Sequence, residues 1–91
     1  MTTRYQRHAD IRLTAVAGEG VVLHLGAKRY FTVNETGLCI LNALEHRCSF
    51  DDMVDAVRAE FEVDQATATE TTRAFLDHCL KTNVVSEETG G

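Results

Sequence analysis

Hydrophobic and polar positions alternate along the first third of the chain and follow a helical period after it. Three short runs, residues 11–16, 21–25 and 29–33, are rich in alternating apolar, β-branched and aromatic residues. Such runs predict strands, because successive side chains of a strand point to opposite faces. The segments 17–20 and 26–28 contain glycine and predict tight turns. Short turns between short strands predict an antiparallel three-stranded sheet.

The third predicted strand leads directly into a helix. Asn34 follows the strand and is a preferred N-cap residue, because its side-chain oxygen accepts a bond from an amide of the first helical turn. Glu35 then places negative charge at the positive end of the helix dipole. Gly37, in the first turn, allows another part of the chain to approach closely.

Three helices are predicted after this junction. In the first, Leu38, Leu41 and Leu44 recur at helical spacing, and the helix is expected to end near residues 45–47. Ser49 is expected to cap the second helix. Its apolar stripe consists of Phe50, Met53, Val54, Val57 and Phe61.

Asp64 is expected to cap a third helix over residues 65–81. Its apolar side consists of Ala68, Thr72, Phe75, Leu76 and Cys79. Val84 and Val85 form a short apolar segment that we expect to pack on the helices.

The order of elements predicts an α+β fold, a three-stranded antiparallel sheet followed by three helices, similar to a winged helix. Residues 1–10 are polar and are expected to form a flexible N-terminal arm. Residues 11–85 are expected to form one domain, and residues 86–91 a flexible tail.

The overall composition narrows the class of protein. Of the 91 residues, 44% are hydrophobic and 25% are charged, which is typical of a globular domain. No apolar run approaches the roughly 20 residues of a membrane span, and the polar N-terminus does not resemble a signal peptide, so we expect a cytoplasmic protein. The net charge of −5 argues against binding to nucleic acid, which requires neutralisation of phosphates.

The chain shows no constellation of residues typical of an enzyme or a metal site. It contains none of the nucleotide-binding, zinc-protease or nucleophile-elbow motifs. Cys39, Cys48 and Cys79 form no C-x-x-C pair, and cysteines on predicted helices are usually small core residues. We therefore predict a protein that is not an enzyme and holds neither metal nor cofactor.

The chain from Val21 to Val85 resembles the PqqD-like family, also called the RiPP recognition element. The resemblance rests on the segment from Arg29 to Gly37, in which an aromatic pair precedes Val33-Asn34 and Thr36-Gly37. It continues through residues 49–54, 60–63 and the last helix to Val84-Val85. Two residues depart from the family pattern: Val33 stands at a usual leucine, and Asn83 at a frequent glycine.

The resemblance implies a non-catalytic chaperone that binds the leader segment of a ribosomally made precursor peptide. The leader would add as an extra strand in the groove between the third strand and the last helix. The implied contacts on and beside the strand are Lys28, Arg29, Tyr30, Phe31, Thr32 and Val33. Those on the helix are Thr72, Phe75, Leu76 and Cys79. Lys28 and Arg29 would hold acidic side chains of the leader.

The implied partner is a separate modifying or processing enzyme, either a lasso-peptide leader protease or a radical SAM enzyme. A monomer without a membrane or nucleic-acid partner is expected. Two other classes stay open at this stage: a winged-helix DNA-binding domain and a small homodimeric scaffold subunit. The first predicts a basic recognition helix, yet the third helix carries Glu70 and Asp77 as well as Arg73 and Lys81. The second predicts a dimer that buries the edge strand.

Overall fold

The computed structural model describes residues 3–89 of the chain. The elements follow one another as β1 (Thr3–Arg7), β2 (Ile11–Val16), β3 (Glu19–His24), β4 (Arg29–Val33), α1 (Glu35–Ala43), β5 (Cys48–Ser49), α2 (Phe50–Glu60), α3 (Gln65–Lys81) and β6 (Val85–Thr89). Over residues 3–89, no helix combines the length and the apolar character that a membrane span requires.

The predicted antiparallel sheet is formed by β2, β3 and β4, in that order. The β2–β3 hairpin turns at Ala17 and Gly18, whose φ angles are both positive, at 53° and 84°. Two central residues with positive φ match the twist of the flanking strands and make a tight hairpin. The α+β fold and the sheet with its three helices are therefore confirmed.

A second three-stranded sheet, in the order β5–β1–β6, was not predicted. Its central strand is β1, where Tyr5 lies opposite Cys48 on one side and opposite Glu87 on the other. Residues 3–7 of the predicted arm and residues 86–89 of the predicted tail therefore lie in paired strands, and the prediction of flexibility is wrong for them. Met1, Thr2, Gly90 and Gly91 lie outside the described residues.

The helices begin at the predicted caps. The side chain of Ser49 accepts a hydrogen bond from the amide of Asp52, whose carboxylate accepts one from the amide of Ser49. This reciprocal pair satisfies two amides at the start of α2. Asp64 caps α3, which spans the predicted residues 65–81. α1 ends at Ala43, before the expected residues 45–47.

The core lies between the sheets and the helices. The largest side chains that are fully buried come from β3, the three helices, the residue that caps α1 and the segment before β6: Val22, Ile40, Leu41, Leu44, Met53, Val54, Val57, Thr72, Leu76, Cys79 and Val84. Val84 and Val85 are buried, which confirms the expected packing of this segment.

One polar group in this core has no partner. Thr72 is completely buried in α3, and its hydroxyl makes no hydrogen bond. A buried polar group without a partner costs about 1–3 kcal/mol, whereas an apolar group of the same shape does not carry this penalty. Thr72 therefore lowers the stability of the fold.

We expect Thr72→Val to raise the free energy of unfolding by about 1 kcal/mol, because valine has nearly the same shape and no hydroxyl. Urea denaturation followed by circular dichroism measures the change. The matched control is Thr71→Val, since Thr71 is exposed on the same helix. A Thr72→Val protein that is no more stable than the control would show that the hydroxyl costs nothing.

Candidate peptide-binding site

β4 forms one edge of the sheet, because within residues 3–89 it pairs with β3 alone. The register of the sheet determines which amides point out from this edge. The amide of Leu25 donates to the carbonyl of Asp10 across the β2–β3 ladder, over 3.0 Å. In an antiparallel pair, hydrogen-bonded and non-hydrogen-bonded positions alternate. The pairs of Asp10 with Leu25 and of Arg12 with Leu23 are therefore hydrogen-bonded.

The same alternation carries across β3 to β4. Residues of β3 that point their backbone groups at β2 cannot point them at β4, so Leu23 bonds to β2, and Val22 and His24 bond to β4. Val22 lies opposite Phe31, and Leu23 lies opposite Tyr30. Tyr30 and Thr32 thus direct their amides and carbonyls outward, away from the sheet. An edge with free backbone groups is a template for an additional strand.

A groove of about 630 Å³ follows this edge. It is lined by Lys28, Arg29, Tyr30, Phe31 and Thr32 on one side, and on the other by His78 of α3 and Thr82, the residue just after α3. A strand added to β4 would therefore lie between the sheet and the last helix, as the family resemblance implies.

The predicted residues of β4 divide between the two faces of the sheet. Tyr30 is 75% exposed, and it shares the outer face with Thr32, which is also exposed. Phe31 and Val33 point to the helical side, where they are half-buried and pack against the core. Lys28 and Arg29, at the start of the strand, are exposed. Within residues 3–89, neither side chain forms an ion pair with a carboxylate.

The residues predicted on α3 are mostly buried beneath the groove. Leu76 and Cys79 are at most 1% exposed, like Thr72, so they support the groove from inside the core. Phe75 is half-buried. The groove lining on this side consists of His78 on α3 and Thr82 at its C-terminal cap, which were not predicted. They follow Phe75 by three and seven residues, a spacing that places residues along the same side of a helix. This spacing is the feature of the sequence from which they could have been predicted.

The junction between β4 and α1 holds the edge strand in place. The side-chain oxygen of Asn34 accepts a hydrogen bond from the amide of Gly37 over 2.9 Å, as the capping prediction required. A Cβ at Gly37 would lie 2.8 Å from the ring of Phe75 and 2.9 Å from the Cβ of Val33. The missing side chain thus lets α1 approach both α3 and the end of β4.

At the other end of the groove, His24 links two segments of the chain. Its Nδ1 accepts a hydrogen bond from the amide of Ala27, in the β3–β4 turn, over 3.2 Å. Its Nε2 lies 3.2 Å from the carbonyl of Asn83, just after α3. Because Nδ1 acts as the acceptor, Nε2 carries the ring proton and donates a hydrogen bond to the carbonyl oxygen of Asn83. One imidazole therefore links the turn before β4 to the end of α3.

The three cysteines are poorly suited to act as nucleophiles. Burial raises the pKa of Cys79 to about 12. Burial, and then the carboxylate of Glu60, raise the pKa of Cys39. Burial and Asp52 raise that of Cys48, against an opposing effect of Arg4. A thiol is nucleophilic as the thiolate, so these shifts disfavour all three cysteines as nucleophiles. Within residues 3–89, no group of three or more potential metal ligands occurs.

Fold and site together define a small α+β domain with an open strand edge beside a helical groove. The sequence model of the family described as coenzyme PQQ synthesis protein D (PqqD) matches residues 19–85. The chain therefore belongs to the PqqD family, and this resemblance is confirmed. A comparison with curated proteins gave no match.

Two solved structures are similar to the chain over most of their length. The structure "TbiB1 in Complex with the TbiA(beta) Leader Peptide" has a TM-score of 0.80 and 27% identity, and the match covers 89% of this chain and 94% of that one. "Lasso peptide synthetase B1 complexed with the leader peptide" has a TM-score of 0.74 and 19% identity, with 90% and 96% covered. The second match supports the fold alone.

We expect Gly37→Ala to destabilise the protein by about 1–3 kcal/mol, the usual cost of inserting a methyl group into a packed site. Alanine is the better helix former by up to about 1 kcal/mol, but the Cβ of Val33 lies too close to the main chain to move aside. Urea denaturation measures the loss. Asn42→Ala, at an exposed position of α1, is the control. A Gly37→Ala protein as stable as this control would show that the junction accommodates a side chain.

Proposed function

We propose that this protein binds the leader segment of a precursor peptide by adding it as a strand to the outer edge of β4. The observation that carries the proposal is the pair of residues with outward-directed backbone groups, Tyr30 and Thr32, beside a groove of about 630 Å³. In strand addition, backbone hydrogen bonds supply affinity, and pockets for alternate side chains supply specificity. The 27% identical structure with its leader peptide supports the same function.

The protein acts in this proposal as a chaperone and not as a catalyst. It presents the precursor to a separate enzyme, a leader protease or a radical SAM enzyme. The raised pKa values of the three thiols support a non-catalytic role. Lys28 and Arg29, exposed at one end of the groove, would hold acidic side chains of the leader.

A proline in β4 tests the strand addition. Thr32→Pro removes an outward amide without removing a hydrogen bond to β3, so the domain should fold while the peptide loses a backbone bond. The ligand is a fluorescein-labelled leader peptide from a precursor whose gene lies beside the gene of this protein. We expect its affinity to fall about tenfold or more. Fluorescence polarisation measures the affinity, and circular dichroism verifies folding.

The matched control is a proline in the other edge strand of the same sheet. By the same alternation, Ala15 of β2 directs its amide away from β3, so Ala15→Pro also spares the ladder. We expect its affinity to stay within about twofold of the unmodified protein, since the variant alters an edge that the peptide does not use. Equal losses in both variants, or no loss in Thr32→Pro, would refute binding at β4.

The salt dependence of the affinity tests which interaction dominates. If backbone pairing dominates, the dissociation constant should be about micromolar or lower, a free energy of about −8 kcal/mol. Raising NaCl from about 50 to 200 mM should then change it less than about threefold, because neutral hydrogen bonds are not screened as charge pairs are. Nucleic-acid binding through six or more phosphates would instead lose about a thousandfold over this range. Duplex DNA serves as the comparison ligand.

A further inference from the structure

The exposed large apolar side chains of this protein are concentrated on one face of one sheet. Among the described residues they are Val16, Leu23, Leu25 and Tyr30. Leu23 lies opposite both Arg12 and Tyr30, and Val16 is four residues from Arg12 on the same strand, so Val16, Leu23 and Tyr30 share the outer face, opposite the helices. Leu25 continues the alternation of β3 into the turn. Core packing does not account for this face.

On this outer face, Tyr30 and Leu23 form part of one row of side chains that runs across the strands. They lie directly opposite each other on β3 and β4, and the alternation derived above makes theirs a non-hydrogen-bonded pair. Side chains approach closest in such pairs. Arg12 continues the row on β2. The row therefore runs across the whole sheet and ends at Tyr30, on the strand whose edge is open.

A strand added to β4 extends this row by one residue. In antiparallel addition, the peptide residue opposite Tyr30 exchanges both hydrogen bonds with it, and its side chain points to the same outer face. The next residue, opposite Phe31, points into the groove toward His78. The one after it lies opposite Thr32 and points outward again. The peptide thus presents alternate side chains to two different environments.

We infer that the protein recognises side chains on both faces of the bound leader strand. The outward residue opposite Tyr30 is a large apolar or aromatic side chain, which packs on the Tyr30–Leu23 pair. This inference rests on the proposed function and adds a sequence requirement to it. An apolar residue there would cover the ring of Tyr30, which is otherwise 75% exposed, whereas a polar residue would leave it in water.

The position opposite Tyr30 is found first with a set of leader peptides, each N-methylated at one residue. N-methylation removes a peptide N–H, so binding should be lost at two residues that are two apart, opposite Tyr30 and Thr32. The residue between them should tolerate the methyl group, because its backbone groups point away from β4. Losses at consecutive residues, or at neither member of such a pair, would contradict the register.

A double-mutant cycle then tests the contact. Tyr30→Ser is combined with a leader peptide in which the outward residue opposite Tyr30 is replaced by serine. Each change alone should weaken binding, and the two together should weaken it less than the product of the single effects, with a coupling of about twofold to fivefold. Val16→Ser is the control, because Val16 lies on the same face at the far end of the β2–β3 hairpin. It should show no coupling.

The outcomes separate this inference from the proposed function. If Thr32→Pro abolishes binding while the cycle shows no coupling, strand addition holds and reading on the outer face is overturned. If the Val16→Ser control couples as strongly as Tyr30→Ser, the apolar face acts as a general surface and the inference is also overturned. If Thr32→Pro has no effect, the proposed function itself fails.

Discussion

The junction from Val33 to Gly37 is the constraint on which the position of the β4 edge depends. The Asn34 side chain satisfies the amide of Gly37, which starts α1 immediately after β4. The absence of a side chain at Gly37 then lets Val33 and Phe75 close on the helix. Strand β4, α1 and α3 therefore meet at one point. Because His24 links the turn before β4 to the end of α3, both ends of the groove are held.

The helices cover only one face of the sheet that carries this edge. Val22 is completely buried on the inner face, while Leu23 on the next position is 40% exposed. A sheet of three short strands needs a cover on one face to be stable, but it does not need a second one. The uncovered face and the unpaired edge thus accompany the small size of the domain, and the proposed strand addition would use both.

Local signals in the sequence predict most of the fold. The caps at Ser49 and Asp64 define α2 and α3 correctly, because capping depends on residues within one turn. β1 and β6 were missed because their pairing joins residues some 80 positions apart, such as Tyr5 and Glu87, and β1 is polar. On α3 the apolar stripe predicts the buried side. A prediction from this stripe therefore names Leu76 and Cys79, which are buried in the core. The groove itself is lined by the polar residues His78 and Thr82.

Within residues 3–89, the two edge strands of this sheet, β2 and β4, pair with no further strand, and their surroundings distinguish them. On β2 the outward amide of Ile11 is already bonded to the carbonyl of His8, and β2 contributes no residue to the groove beside α3. On β4 the outward backbone groups of Tyr30 and Thr32 face that groove. An incoming strand gains backbone hydrogen bonds at either edge. At β4 it also gains side-chain contacts with His78 and Thr82 on one face and with Tyr30 on the other. In the proposed binding mode, selectivity between the two edges would arise from these flanking side chains, because backbone pairing alone does not discriminate.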